Sequence, residues 1–362
     1  MTTVELKTAD YYPYPPEKKD YGIGIVGSGG VVRGAHLPAY QKCGYRVLTC
    51  CDVVEDNARA AAIKFGIAHY SMRLEDVLDH PEVEIIDLAV HAKVRPAVIA
   101  QIAAHPRKPR AILSQKPFAL SLEEARQMIA QCEEAGITLM VNQQARWAPS
   151  HRALRHVIES GVLGHVYSIM HIARAWQDNP AAWYVKMPHF NIVDHGVHYI
   201  DLSRYLSGQT PESVHATTVM VPGQAAVTPM IYTITCQYAP AAQLMSTLHF
   251  NNIVQVAKHM GRGEWFVDGT LGSASAGQHL TVCLKDDPDN PQTFHLEGSW
   301  WTDAFGGSMG ELMQSLTDNR LPMCHGRDNL ESIGMALAAV RSSETGERVF
   351  LDSRRNTQGL QG

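Results

Sequence analysis

The chain lacks a cysteine framework. Its seven cysteines (Cys43, Cys50, Cys51, Cys132, Cys236, Cys283 and Cys324) are odd in number, scattered, and show no Cys-x-x-Cys spacing. That argues against a disulfide-stapled scaffold or a thiolate zinc site and for free thiols in a reducing compartment. No apolar run approaches the ~20 residues needed to cross a bilayer. The opening stretch MTTVELKTADYYPYPPEKKDYG has acidic residues and prolines but no apolar core, so it does not read as a secretion signal; a cytoplasmic protein without membrane contact is expected. Net charge is only −5 with the histidines neutral. With no Lys/Arg-rich run, nucleic acid is not an expected partner.

What is present is an ordinary globular composition, 45% apolar and 19% charged over 362 residues. At about 100 to 200 residues per domain this suggests two domains, with core enough to need no disulfide or structural metal. Residues 1–20, with YYPYPP, read as an extended arm that packs on its own body or on a neighbour. From 21 to 145 apolar runs alternate with helical patterns. Gly22–Val26, Arg46–Asp52, Glu84–Val90, Ala111–Ser114 and Ile137–Val141 read as strands. One intervening helix opens with Ser121 and Glu124, a capping box, and closes at Gly136. Strands alternating with helices imply an α/β domain with a parallel, doubly wound sheet. From 146 to 362 the pattern changes to successive strands, implying an α+β domain with a large, mostly antiparallel sheet. Helices are expected there at Ser150–Ser160, Asp194–Leu206, Ala304–Thr317 and Asn329–Glu344.

Two placements carry chemistry. Gly27, Gly29 and Gly30 follow the first strand and precede a helix, the order a dinucleotide pyrophosphate site requires; Gly27, Gly29, Gly30 and Val31 are the expected contacts. The usual third small residue is replaced by Val32, which leaves less room at the helix start. Asp52 ends the second strand, about 20 residues on, where a carboxylate binds the adenosine ribose and repels a 2′-phosphate. NAD is therefore the expected cofactor. Lys116 ends the strand Ala111–Ser114 in SQKP. Ligands bind over the C-terminal ends of such strands, so its amine is expected to face nicotinamide and substrate.

At these residues the chain resembles the glucose–fructose oxidoreductase / inositol dehydrogenase (Gfo/Idh/MocA) family. SQKP looks like a glutamine variant of the family's Glu-Lys-Pro, and DHGVHYID (Asp194–Asp201) matches its Asp-x-Gly-x-His-x-x-Asp pattern. The resemblance covers essentially the whole chain after the arm. It implies a Rossmann domain, a second domain whose open sheet joins subunits into a dimer or tetramer, and a catalytic set of Lys116, Asp194 and His198. Gln115 departs from it by removing a carboxylate beside the lysine. AVHAKVRP lacks the family's Pro-rich turn, and His91 is expected to touch the cofactor instead, as are Gln115, Lys116 and Gln144.

Four residues apart, Asp194 and His198 would share one helix face. An imidazole suits the base that removes an alcohol proton while hydride leaves the same carbon, and Asp194 would orient Lys116 or bind a neighbouring hydroxyl. His189, Asp194, His195 and His198 also have metal-ligand chemistry, but thiolates and regular spacing are missing, so no metal is expected. Around the sugar pocket we expect Lys116, Gln144, Arg146, Trp147, Tyr184, His189, Asp194, His195 and His198. Arg146 would read an anionic group or form a structural ion pair; Trp147 would stack on a sugar or fill core. The expected activity is an NAD-dependent oxidoreductase acting on a secondary alcohol of a sugar, cyclitol or derivative. An NAD-requiring glycosidase of the same superfamily, working by transient oxidation at sugar carbon 3, is the alternative, and a tyrosine or histidine near Tyr184 or His189 would be its extra base. A non-catalytic NAD sensor is a third.

Overall fold

The five apolar runs become parallel strands, and the computed structural model, which describes residues 4–351, adds a sixth. Strands β1 (Gly22–Val26), β2 (Arg46–Cys51), β3 (His69–Ser71), β4 (Val83–Leu88), β5 (Ala111–Ser114) and β6 (Thr138–Val141) form one sheet. Their order is β3-β2-β1-β4-β5-β6, every neighbouring pair parallel. The unexpected β3 is three residues long and largely exposed, so it carries no apolar run. Side chains alternate between two buried layers. Ile85, Leu113 and Met140 join one core with Tyr40 and Phe305; Ile86, Ile112 and Val141 join the other with Ile99 and Met128. Burial on both faces is why these strands read as continuous apolar runs. Chain order reverses between β1 and β4, the position where open α/β sheets bind ligands.

The second sheet contains β7 (Val166–Arg174), β8 (Ser213–Val219), β9 (Ile231–Gln237), β10 (Met245–Asn251), β11 (Arg262–Gly269), β12 (Gly272–Ala276), β13 (Leu280–Leu284), β14 (Gln292–Phe294) and β15 (Val349–Phe350). Their order is β14-β13-β12-β11-β7-β10-β9-β8-β15. Every pairing is antiparallel except β7 with β10. The fold class is thus a Rossmann-like parallel sheet followed by a mixed, mostly antiparallel one.

By compactness the chain divides into Tyr12–Pro149 with Gly298–Leu330, and Ser150–Glu297 with Met1–Tyr11 and Glu331–Gly362. The first sheet lies in the former, the nine-stranded sheet in the latter. The helix Trp300–Thr317 therefore belongs with the first sheet, its Ala304, Phe305 and Met309 buried in that core.

The expected helices form, one of them with a different start. Ser121 caps Leu122–Glu134, its Oγ accepting the Glu124 N–H at 3.1 Å. The helix expected from Asp194 starts instead at Val197, after a π turn over Asn191–His195. No helix among the described residues is long and apolar enough to cross a membrane.

Asp303, one turn into Trp300–Thr317, joins three elements. Its Oδ1 accepts from Lys42 Nζ at 2.5 Å and from the Tyr12 hydroxyl at 3.0 Å, and its Oδ2 from the Ser299 N–H at 2.8 Å. This holds the Tyr12 end of the arm on its own unit. Burial pushes the Asp303 carboxyl up, but the bonds from Lys42, Ser299 and Tyr12 and the charge of Lys42 outweigh it and hold the group below its usual range. A depressed folded-state pKa gives stability that is present above the unfolded value of ~3.9 and lost as pH falls through the folded one. Asp303→Asn is expected to cost about 1 to 3 kcal/mol at neutral pH. In urea melts followed by tryptophan fluorescence, the gap to the parent should narrow as the pH is lowered through the acid range; a gap independent of pH would show that the carboxylate's charge is not what stabilises.

Candidate active site

The turn after β1 takes a conformation that side chains rarely adopt. Gly27 has φ +91°, and a Cβ there would stand 2.8 Å from the Ala89 carbonyl oxygen. Around Gly29 and Gly30 no atom lies within 4 Å of where a Cβ would sit, and Val31 is exposed. Bare backbone at a helix start, open to solvent, suits an approaching pyrophosphate. Val32 is fully buried in the core, and the helix opens there as a π turn, Val32–His36, before Leu37–Cys43.

Asp52 is tied directly to this turn. Its Oδ2 accepts the Ser28 N–H at 2.8 Å and its Oδ1 the Val54 N–H at 2.9 Å, with Asn57 Nδ2 at 3.5 Å. Each carboxylate oxygen has about two acceptor positions, so capacity remains for ribose hydroxyls. Arg33 reaches the same corner, its Nη2 donating to Asn57 Oδ1 at 3.1 Å. Neither Arg33 nor Asn57 stood out in the sequence, because only the fold brings the first helix against Asn57. His91 is exposed, its Nδ1 accepting the Lys93 N–H at 3.2 Å.

Lys116 follows β5, partly exposed, and its peptide to Pro117 is cis. Gln115 is buried, and its Oε1 accepts the Lys116 N–H at 3.1 Å. Next to this strand end lies a group of buried amides. Ser114 pairs with Val141 in register, and the Asn142 N–H donates to the Ser114 carbonyl at 2.7 Å. Among the described residues, Ser114 Oγ, both side-chain polar atoms of Asn142 and of Gln143, and Gln144 Oε1 are buried without a protein partner. Leaving such atoms unmet costs about 1 to 3 kcal/mol each. They therefore call for water or a polar ligand at the ends of β5 and β6. With the glycine turn and Asp52, this set fits a dinucleotide.

Arg146 and Trp147 take their structural alternatives. Arg146 Nη2 lies 3.1 Å from Asp328 Oδ2, both largely buried, and Trp147 is buried in the core of its unit.

In the other unit Asp194 sits in the π turn and His198 in the helix Val197–Ser207. The expected single helix face is thus replaced by a π-to-α junction, which inserts a residue into the first turn. Gly196 marks it: a Cβ there would lie 2.7 Å from the Tyr232 hydroxyl and 2.7 Å from the Ile192 carbonyl oxygen. His198 is buried, while Asp194 and His195 are partly exposed. Gln177 Nε2 stands 3.1 Å from His195 Nε2, and Asn252 bonds to Asn191 at 2.6 Å. Asp201 accepts from Ser332 Oγ at 2.6 Å, a structural use of the last residue in the pattern. Under the helix, His171 lies in an aromatic layer with Tyr199, Trp265 and Phe250 at 4.4, 4.6 and 5.1 Å between ring centres. Burial, then the charges of His151 and His195, hold its pKa well below the usual value.

Tyr184 stacks on Phe190 at 4.3 Å and donates its hydroxyl to the Gln177 carbonyl at 2.9 Å. Burial and then the charge of Asp178 raise its pKa, which makes a phenolate base harder to form. His189 has a left-handed backbone, φ 55°, and its Nε2 lies 3.5 Å from Glu344 Oε1. Among the described residues no cluster of three His, Cys, Asp or Glu side chains is arranged to hold a metal ion.

Comparison with known proteins gives a consistent answer. A family model described as "Oxidoreductase family, NAD-binding Rossmann fold" matches residues 21–143, and one described as "GFO/IDH/MocA C-terminal domain" matches residues 151–275. D-apiose dehydrogenase of Paraburkholderia graminis is 26% identical over 91% of this chain and 89% of its own length. scyllo-Inositol 2-dehydrogenase (NAD(+)) of Bacillus subtilis is 23% identical over 88% and 92%. A crystal structure of an oxidoreductase from Agrobacterium radiobacter, in complex with NAD+, L-tartaric acid and magnesium, superposes with a TM-score of 0.81 at 21% identity, covering 92% of this chain and 99% of that one. This chain belongs to the Gfo/Idh/MocA family of oxidoreductases and carries its NAD-binding Rossmann fold.

Proposed function

We propose that this chain is an NAD-dependent dehydrogenase acting on a secondary alcohol of a sugar, cyclitol or sugar derivative. The observation that carries the reading is Lys116, a partly exposed amine at the C-terminal end of β5 in the sheet whose first strand leads into the glycine turn. The substrate class is supported by relatives named for a sugar and a cyclitol.

NAD would be held by Gly27, Gly29, Gly30, Val31 and Asp52, with His91, Gln115, Lys116 and Gln144 toward its reactive end, and it supplies the hydride acceptor. His198 removes the hydroxyl proton. Lys116 donates a hydrogen bond to the oxygen from which that proton leaves, stabilising negative charge as it develops. Asp194 accepts from a neighbouring hydroxyl and so selects polyols over simple alcohols. His195, Tyr184 and His189 border the same substrate.

We also propose a homo-oligomer joined through the open face of the nine-stranded sheet. Its support is a half-exposed apolar stripe: Phe266 pairs with Met170, which also pairs with Thr247, and Ile172 lies two residues on. Phe266→Lys is expected to shift the mass by light scattering to a smaller species; an unchanged mass would remove this face from consideration.

Asp52→Ala is expected to weaken NAD binding about 10- to 100-fold in calorimetric titration, the value of a lost charge-assisted pair. Under the same reading, Lys116→Ala should lower kcat/KM by about 10² to 10⁴ with the best polyol of a panel. NADH absorbance that rises with a free sugar or cyclitol supports the dehydrogenase. Release of an aglycone from a glycoside without NADH build-up would assign redox-neutral hydrolysis in its place.

A further inference from the structure

The turn around Lys116 is held by more buried polar groups than a strand end requires. The Lys116 N–H can only donate, so the Gln115 atom facing it at 3.1 Å is the amide oxygen. The other amide atom is then the NH2, and it stands 2.5 Å from His36 Nε2. His36 must accept at that nitrogen, so its ring proton is on Nδ1, directed at Asp87 Oδ2 at 2.7 Å. The Tyr40 hydroxyl donates to the same oxygen at 2.9 Å. His36 and Asp87 are both 0% exposed. The chain of bonds runs in one sense, Lys116 to Gln115, Gln115 to His36, His36 to Asp87. An amide does not exchange protons as an imidazole does, so this chain orients groups and does not relay protons.

The other side of the turn is gripped by Arg95, 1% exposed. Its Nη1 donates to the Pro117 carbonyl and, at 2.8 Å, to the Phe118 carbonyl; its Nη2 donates to the Val90 carbonyl at 2.7 Å. A guanidinium taken fully out of water is costly unless its donors are met. Here three carbonyls from the loops after β4 and β5 accept from its two terminal nitrogens.

We propose that His36, Asp87, Gln115 and Arg95 are positioning residues that fix the direction of the Lys116 side chain, and that a glutamine stands at 115 because the buried imidazole offers a lone pair there. The role rests on the reading of Lys116 as the amine at the substrate oxygen. The matching of Gln115 to His36 does not. A carboxylate at 115 could still accept the Lys116 N–H, but its second oxygen would face the His36 lone pair. Two acceptors face to face cannot bond, so the carboxylate would turn aside and take the Lys116 backbone with it. The groups facing His36 are Asp87 from β4, Tyr40 from the helix Leu37–Cys43, Gln115 just after β5 and the Phe305 ring at 4.8 Å from Trp300–Thr317.

The test uses the full chain as parent, Gln115→Glu and Arg95→Lys. Acetylation of Lys116 is measured by mass spectrometry relative to Lys285 in the same sample. For Gln115→Glu, the Lys116 labelling ratio of variant to parent should depart from one by about threefold or more, the size of one lost hydrogen bond. Arg95→Lys should change Lys116 labelling as well. On an active substrate it should lower kcat about 10-fold or more with KM nearly unchanged, as expected for a misplaced catalytic group. A role confined to folding would lower the melting temperature and leave labelling and kcat alone. A labelling ratio of one for Gln115→Glu overturns the proposal, and that arm decides alone should Arg95→Lys not fold. If no polyol turns over in the parent, the dehydrogenase reading falls while the labelling still judges the clamp.

Discussion

A carboxylate with no access to water must be met by donors, and Asp87 sets that demand at the middle of the parallel sheet. It lies in β4, in register with Ile25 of β1 and Leu113 of β5. An unpaired buried anion would cost several kcal/mol. Two donors, His36 Nδ1 and the Tyr40 hydroxyl, come from the helical segment that follows the glycine turn and meet Oδ2, while Oδ1 is buried with no protein partner. One buried charge thereby ties the first helix to β4 and, through Gln115, to β5. Hydrophobic layers on both sides of the sheet supply most of the stability, but they are tolerant of small shifts. The directional bonds of Asp87 are not, and they set where the glycine turn and the Lys116 turn stand relative to each other.

The same economy recurs at the glycine turn. Asp52 accepts from Ser28 and Val54, so the residue suited to the ribose also shapes the loop that would receive the pyrophosphate. In the other unit, Asp201 holds Val197–Ser207 through Ser332, and Asn191 and Asn252 brace the π turn that carries Asp194. Candidate chemical groups are thus set on short irregular turns, each held by a neighbouring buried polar pair. Such bracing lets the backbone at each candidate group stay locally unusual and yet firmly held.

Much of this was legible in the residues. Runs such as Gly22–Val26 and Ala111–Ser114 are apolar throughout because both faces of their sheet are covered, and the Ser121–Glu124 cap shows in the sequence because capping is local. The short strands were not legible. His69–Ser71 has no apolar run, and Gly272–Ala276, all small residues, has no alternation to read; both are strands only because a neighbour offers them a ladder. The helix expected from Asp194 was legible as a helix but not as a π-to-α junction. Trp147 and Arg146 could be read two ways, since a residue type does not say whether its partner will be a ligand or Asp328.

Sequence alone was enough for the two-sheet architecture, the glycine turn with its distant carboxylate, the lysine at a strand end and the family they imply, because each depends on periodicity or on spacing within a short segment. Only the tertiary structure decided which residues surround that lysine. His36, Asp87, Arg95 and Gln115 lie up to 79 positions apart. Their pairing follows from the need to satisfy buried donors and acceptors once the strands are stacked, and that need exists only in the folded chain.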